Sequence, residues 1–189
     1  HMRGNRLLVF ARKPAPIQVT YLGNPSTTGL KTMDYRLTDW HTDPAGFEAF
    51  NSEQLMRLPD SFFCYRPPQD CPPVADLPVL RAGHITFGSC NALIKLNATV
   101  INLWANLLTA VPHSRLLLKT HGLTSALIRQ QLTKRFTDLG TPAERLILLE
   151  SPAPPEHLSA YHQIDIGLDT FPFNGGTTTC EALWMGVPV

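Results

Sequence analysis

The sequence predicts an α/β fold built on a Rossmann-like parallel sheet, on two observations. From about residue 84 onward, strand-like apolar runs alternate with helical patterns four times in succession. Two of those runs, RLLLK (115–119) and RLILL (145–149), are almost continuously apolar, as strands covered on both faces are. Parallel neighbours need a long connection and a helix is the usual one, so the alternation implies right-handed βαβ crossovers.

Taken in order, the chain begins less regularly. IQVTYLG alternates well enough for a short strand, GNPSTTG is a turn-rich loop, and MDYRLTD is a second short strand. GFEAFNSEQLMRL reads as a weakly amphipathic helix and SFFCY as another strand. Proline then bunches in YRPPQDCPPVADLP, the best linker candidate. The expected division is therefore 1–66, a 67–83 linker, and 84–189.

After the linker, HITFGS is a strand. NATVINLWANLLTAVP places Val100, Ile101, Trp104, Leu107 and Leu108 at helical spacing, with Pro112 as the stop. RLLLK is a strand, TSALIRQQLTKRFTDLG a helix closed by Gly140, RLILLE a strand, PPEHLSAYHQ a short helix and IGLDTF a fourth strand.

Composition narrows the classes of function. A chain of 189 residues that is 43% hydrophobic can bury a core. The formal net charge of +1 and the lack of a long basic run argue against a nucleic-acid partner. No apolar run approaches the roughly 20 residues needed to span a bilayer, and the N-terminus lacks a signal-peptide pattern, so a cytoplasmic protein without membrane contact is expected. Cys64, Cys71, Cys90 and Cys180 are scattered, with no C-x-x-C pair and no histidine at ligand spacing, so no metal site is expected. His1-Met2 reads as the remnant of a cleaved tag, so the native chain is expected to extend upstream.

Ligands of open α/β sheets bind beyond the carboxyl ends of the strands. There is no G-x-G-x-x-G after the first strand of the second part and no P-loop, so a different anion site is needed. Asn174, Gly175 and Gly176 can bring main chain close to a ligand. Thr177, Thr178 and Thr179 fall where a new helix exposes unpaired N–H groups, and their hydroxyls add donors. The stretch suits a diphosphate. Thr178 with Glu181 also reads as a capping box that starts the helix, and the two readings are compatible. Lys95, six residues after ITFGS, can reach a phosphate as a mobile point charge, or stand as a solvated lysine. His157, in a proline-rich strand-to-helix loop, can meet a base or simply end a helix.

Three separated blocks, RKPAPIQVTYLGNPSTTGLKTMDYRLTD, ITFGSCNALIKLN and LDTFPFNGGTTTCEALWMGVPV, together resemble the O-linked N-acetylglucosamine transferases, especially bacterial relatives carrying tetratricopeptide repeats. The resemblance implies one part of a two-lobe GT-B enzyme, with 1–66 from the first catalytic lobe and 84–189 from the UDP-sugar-binding lobe. It implies inverting transfer of N-acetylglucosamine from UDP-N-acetylglucosamine to serine or threonine hydroxyls of a protein acceptor, with no cofactor and no metal. By resemblance Lys95 contacts the diphosphate and helps the leaving group, Thr177 and Thr178 hold phosphates, Glu181 the ribose, and His157 packs on uracil. Gly23 and Pro25 match a first-lobe loop beside the donor sugar. Against the animal members, Ala92 replaces glutamine, Pro154 a nucleotide-contacting lysine and Gly176 histidine. These departures leave another GT-B donor or acceptor, or a non-catalytic nucleotide-binding relic, as alternatives. Much of each lobe is absent, and the piece alone is expected to be inactive.

Overall fold

In the computed structural model, which describes residues 5–150 and 156–189, the chain divides into two compact units, His1–Cys64 and Tyr65–Val189. The proline-rich stretch 67–83 belongs to the second.

The first unit opens with a single helical turn, α1 (Leu7–Phe10), and holds a three-stranded sheet of β1 (Val19–Thr20), β2 (Tyr35–Asp39) and β3 (Gln54–Leu58). The strands are parallel, in the order β1-β2-β3. The helix expected over residues 46–58 does not form. A 3₁₀ turn at Phe47–Phe50 gives way to β3, which pairs with β2 from Tyr35 opposite Gln54 to Asp39 opposite Leu58. Pairing along a whole neighbouring strand overrides a weak helical pattern. Arg57 favours the extended form, since its Nε donates to the Asp43 carbonyl at 2.6 Å and its guanidinium lies 4.6 Å from the Trp40 ring. The strand expected at SFFCY is also missing, because the Phe62 N–H donates to the Asp39 carboxylate at 2.8 Å instead of to a strand neighbour.

Arg36 of β2 and Asp43 form a buried ion pair at 2.6 Å. The loop after β1 is fastened by Glu53, 4% exposed, which accepts from the Thr27 hydroxyl and the Thr28 N–H at 2.7 Å each, and from the Thr28 hydroxyl.

The second unit begins with one helical turn, α2 (Val79–Ala82), ended by Gly83 at φ 69°. It continues as β4 (Thr86–Ser89), α3 (Ala98–Ala110), β5 (Arg115–Lys119), α4 (Ala126–Asp138), β6 (Leu146–Leu149), α5 (Glu156–Ser159), β7 (Ile166–Gly167) and α6 (Thr177–Trp184). The sheet order is β6-β5-β4-β7 and every pairing is parallel. Asn97 caps α3 by accepting the Val100 N–H at 3.0 Å.

Alternation along β5 sends its leucines to opposite faces. Leu116 and Leu118 join Val100, Trp104, Leu108, Leu132 and Phe136 on the face covered by α3 and α4. Leu117 joins Leu158, Tyr161, Ile164, Ala182 and Met185 on the other. Each buried Leu, Ile, Val, Phe or Met among them stabilises the unit by about 1.5–3 kcal/mol. Gly88 allows that second layer to sit close, since a Cβ there would lie 2.4 Å from Ile164.

The fourth strand is shorter than IGLDTF. Leu168 still donates to the Gly88 carbonyl at 2.7 Å, but Asp169 then draws the Thr170 N–H to its own side chain at 2.8 Å and the chain leaves the sheet.

Candidate functional site

The carboxyl ends of β4 and β7 lie side by side, because the two strands are sheet neighbours. Two residues beyond β4 stands Asn91, and two beyond β7 stands Asp169. The Asn91 amide donates to Asp169 Oδ1 at 3.1 Å, and the same oxygen accepts the Thr170 N–H at 2.8 Å and the Gly175 N–H at 2.6 Å. One carboxylate oxygen thus folds the 170–175 loop back over the strand ends.

That fold sets the start of α6. Its N-cap is Gly176, with no side-chain cap bond, so the capping box expected from Thr178 and Glu181 is not made. Helix formation begins at Thr177, one residue too early for Thr178 to stand outside as a cap. The Thr179 and Cys180 N–H groups both reach the Gly176 carbonyl at 3.1 Å. Among the described residues, the N–H groups of Gly176, Thr177 and Thr178 find no main-chain or side-chain acceptor. Three adjacent donors at the positive end of a helix form a place for an anion.

Lys95 comes to this loop from the other side. It closes a 3₁₀ turn, Leu93–Lys95, between β4 and α3. Its Nζ donates to the Asn174 carbonyl at 2.7 Å and to Asn91 Oδ1 at 3.2 Å, and lies 4.5 Å from the centre of the Phe173 ring. Thr178 Oγ1 donates to the same Asn91 oxygen at 3.2 Å. Burial pulls the Lys95 ammonium below its usual range, and the Asp169 charge partly restores it. No room is left for a larger residue at Gly175, where a Cβ would come within 2.5 Å of the Thr179 hydroxyl and 3.1 Å of Asp169.

His157 and Glu181 meet beside this cluster. The imidazole Nε2 lies 3.0 Å from Glu181 Oε2, and the single Tyr161 hydroxyl proton is shared between the Thr178 carbonyl at 3.0 Å and that carboxylate oxygen at 3.2 Å. Burial pushes the Tyr161 phenol far above its ordinary range, so it stays a neutral donor. Burial likewise raises the Cys90 thiol, which Lys119 partly offsets.

Of the sequence-derived candidates, Lys95, Asn174, Gly175, Gly176, Thr177, Thr178, His157 and Glu181 all gather around α6 and the ends of β4 and β7. Gly23 and Pro25 belong to the first unit, at exposed positions in the loop after β1. Pro154 lies outside the described residues. Ala92 is exposed and brings no polar group. The residues sequence reasoning passed over are Asn91, Asp169, Tyr161 and Lys119. The first two carried a usable signal, each standing two residues past an apolar strand. Among the described residues no group of three or more His, Cys, Asp or Glu is placed to hold a metal, and no helix is long and apolar enough to cross a membrane.

Two units, each on an all-parallel sheet, with strand and helix alternating in the second, have the α/β fold of the GT-B glycosyltransferases. The chain belongs to glycosyl transferase family 41, whose model matches residues 1–69 and 77–189. It is 46% identical over 193 residues to a probable UDP-N-acetylglucosamine–peptide N-acetylglucosaminyltransferase SPINDLY of Petunia hybrida, covering all of this chain and 20% of that protein. It is 32% identical over 199 residues to the corresponding SEC protein of Arabidopsis thaliana, again covering all of this chain and 20% of the relative. Among solved structures it resembles a Thermobaculum terrenum O-GlcNAc transferase carrying a lysine-to-methionine substitution, with a TM-score of 0.90 and 40% identity over 97% of this chain and 34% of that one. The chain therefore spans about a fifth of the length of the curated relatives it matches.

Proposed function

We propose that this chain is part of an inverting glycosyltransferase that moves N-acetylglucosamine from UDP-N-acetylglucosamine to serine or threonine hydroxyls of proteins. The observation that carries the reading is the meeting of Lys95 with the start of α6: its Nζ and the Thr178 hydroxyl share Asn91 Oδ1, and among the described residues the first three N–H groups there have no acceptor. The names of the relatives support the donor and the peptide acceptor.

When the bond between the sugar and the diphosphate breaks, negative charge develops on the departing phosphate. Donors fixed in advance stabilise it without reorganising. The Gly176, Thr177 and Thr178 N–H groups provide that field, and the Lys95 ammonium leaves the Asn174 carbonyl to join it. Thr177 and Thr178 add hydroxyl donors. Glu181 accepts from ribose hydroxyls and His157 meets the base. The first-unit loop with Gly23 and Pro25 is assigned to the donor sugar. No cofactor or metal is assigned.

A second reading, a different nucleotide sugar as donor, is favoured by the apolar, exposed Ala92 and by the glycine at 176. One experiment separates the two. The full-length protein is offered UDP-N-acetylglucosamine, UDP-glucose and GDP-sugars together with serine- and threonine-containing peptides, and transfer is read by mass. Transfer from UDP-N-acetylglucosamine is expected. Transfer from a GDP-sugar alone would replace this reading with the second, and no transfer from any donor would leave a nucleotide-binding relic.

A further inference from the structure

Lys119, the last residue of β5, holds its ammonium in the interior at 1% exposure, and nothing in the transfer reaction sketched above uses it. A charge so placed is costly unless paired. Its Nζ donates to the main-chain carbonyl of His157 and lies 3.1 Å from the Nδ1 of the same residue, with the Tyr161 ring 5.4 Å away.

The direction of these bonds follows from inventory. An ammonium has donors and no acceptor, so the Nδ1 facing it accepts, and the ring proton sits on Nε2. Nε2 is the atom 3.0 Å from Glu181 Oε2, where an N–H donates into the carboxylate. Lys119, His157 and Glu181 therefore form a one-way chain from the end of β5 to α6, each link donating to the next. The Tyr161 hydroxyl, shared with the Thr178 carbonyl, approaches the same oxygen, so among the described residues the contacts fall on Oε2 and leave Oε1 for a ligand.

We propose that Lys119 is a positioning residue of this site: it fixes His157 in the tautomer protonated at Nε2, and through it holds the Glu181 carboxylate with Oε1 available to a ligand hydroxyl. The role of the ligand rests on the nucleotide-sugar reading, whereas the tautomer does not.

The test reads both. Long-range ¹H–¹⁵N spectra of the full chain labelled at histidine report the protonated ring nitrogen, with His157 assigned by its loss in His157→Gln. UDP affinity is measured by calorimetry on the same samples. The unaltered chain is expected to show one tautomer with the proton on Nε2. Lys119→Met is expected to lose that single signature and to bind UDP about tenfold more weakly, the equivalent of one buried hydrogen-bond link. Lys119→Arg, which keeps a donor, is expected to retain the tautomer and most of the affinity. Lys119→Met leaves the His157 carbonyl and Nδ1 without their donor, which costs stability; should it fail to fold, the unaltered chain and Lys119→Arg decide. A proton on Nδ1 in the unaltered chain would overturn the proposal, as would unchanged tautomer and affinity in Lys119→Met. Failure of the unaltered chain to bind UDP would instead defeat the nucleotide reading, and the tautomer, read without ligand, would still decide the part given to Lys119.

Discussion

The Lys95 ammonium donates to the main-chain carbonyl of Asn174 at 2.7 Å, across 79 residues of sequence. That bond joins the segment after β4 to the loop that starts α6.

Lys95→Ala in the full-length protein is expected to lower kcat by about 10²–10³-fold, the scale of removing one preorganised charge-stabilising group. Lys95 is half-buried and sits outside the apolar core, so thermal unfolding should stay within a few degrees of the unaltered protein. Unchanged turnover would remove Lys95 from the mechanism.

Gly175→Ala pushes a methyl group into the Thr178 and Thr179 hydroxyls and toward Asp169. Overpacking of this kind costs about 1–3 kcal/mol, and here the strain falls on the helix start. Calorimetry should show UDP binding lost or weakened well beyond the loss of stability seen in denaturant.

Asp169→Ala strands the Thr170 and Gly175 N–H groups, the first within a residue that is fully buried. Leaving such groups unpaired costs about 1–3 kcal/mol each. Asp169→Asn keeps a carbonyl oxygen in the same place and should lose distinctly less. Equal losses from the two substitutions in urea unfolding would show that the bonds to Oδ1 are not what Asp169 contributes.

Gly88→Ala is expected to destabilise by about 1–3 kcal/mol, since its Cβ would overlap Ile164. Ile164→Val in the same chain should recover part of this. A double-mutant cycle measures the recovery, and strict additivity would contradict the contact.

Acid should weaken the first unit through Glu53. Burial works against its charge, but hydrogen bonds from Thr28 and Thr27 more than offset this and hold the carboxyl below its ordinary range. A depressed folded-state value gives stability that is present above the ordinary carboxylate range and is lost as pH falls through the depressed value. Glu53→Gln should flatten the acid limb of a stability–pH curve while costing stability at neutral pH.

The second unit was far more legible in the sequence than the first. Its strands β5 and β6 are apolar runs flanked by helical patterns, so period and propensity point the same way, and β5, α3 and α4 fall where the pattern puts them. In the first unit, β3 owes its extended form to pairing with β2, and no local window contains that neighbour. The same division holds within the site. Lys95, Thr177 and Gly175 were readable because strand-end position and residue type coincide. Lys119 was not, because a lysine ending an apolar strand reads as a solvated end, and only the three-dimensional return of His157 reveals it as buried. The capping box failed for a tertiary reason as well, since Asp169 holds the Gly175 N–H and lets the helix begin at Thr177.

Asn91 gives the site a built-in polarity. Its amide nitrogen faces the Asp169 carboxylate while its oxygen receives Lys95 and Thr178, so the side chain cannot be turned end for end without setting donor against donor and acceptor against acceptor. The neutral amide thereby bridges two unlike charges in a fixed order, its donor end spent on the Asp169 carboxylate and its acceptor end on the Lys95 ammonium. Neither a carboxylate, which only accepts, nor a leucine of the same shape at position 91 can hold the two charged groups in that order.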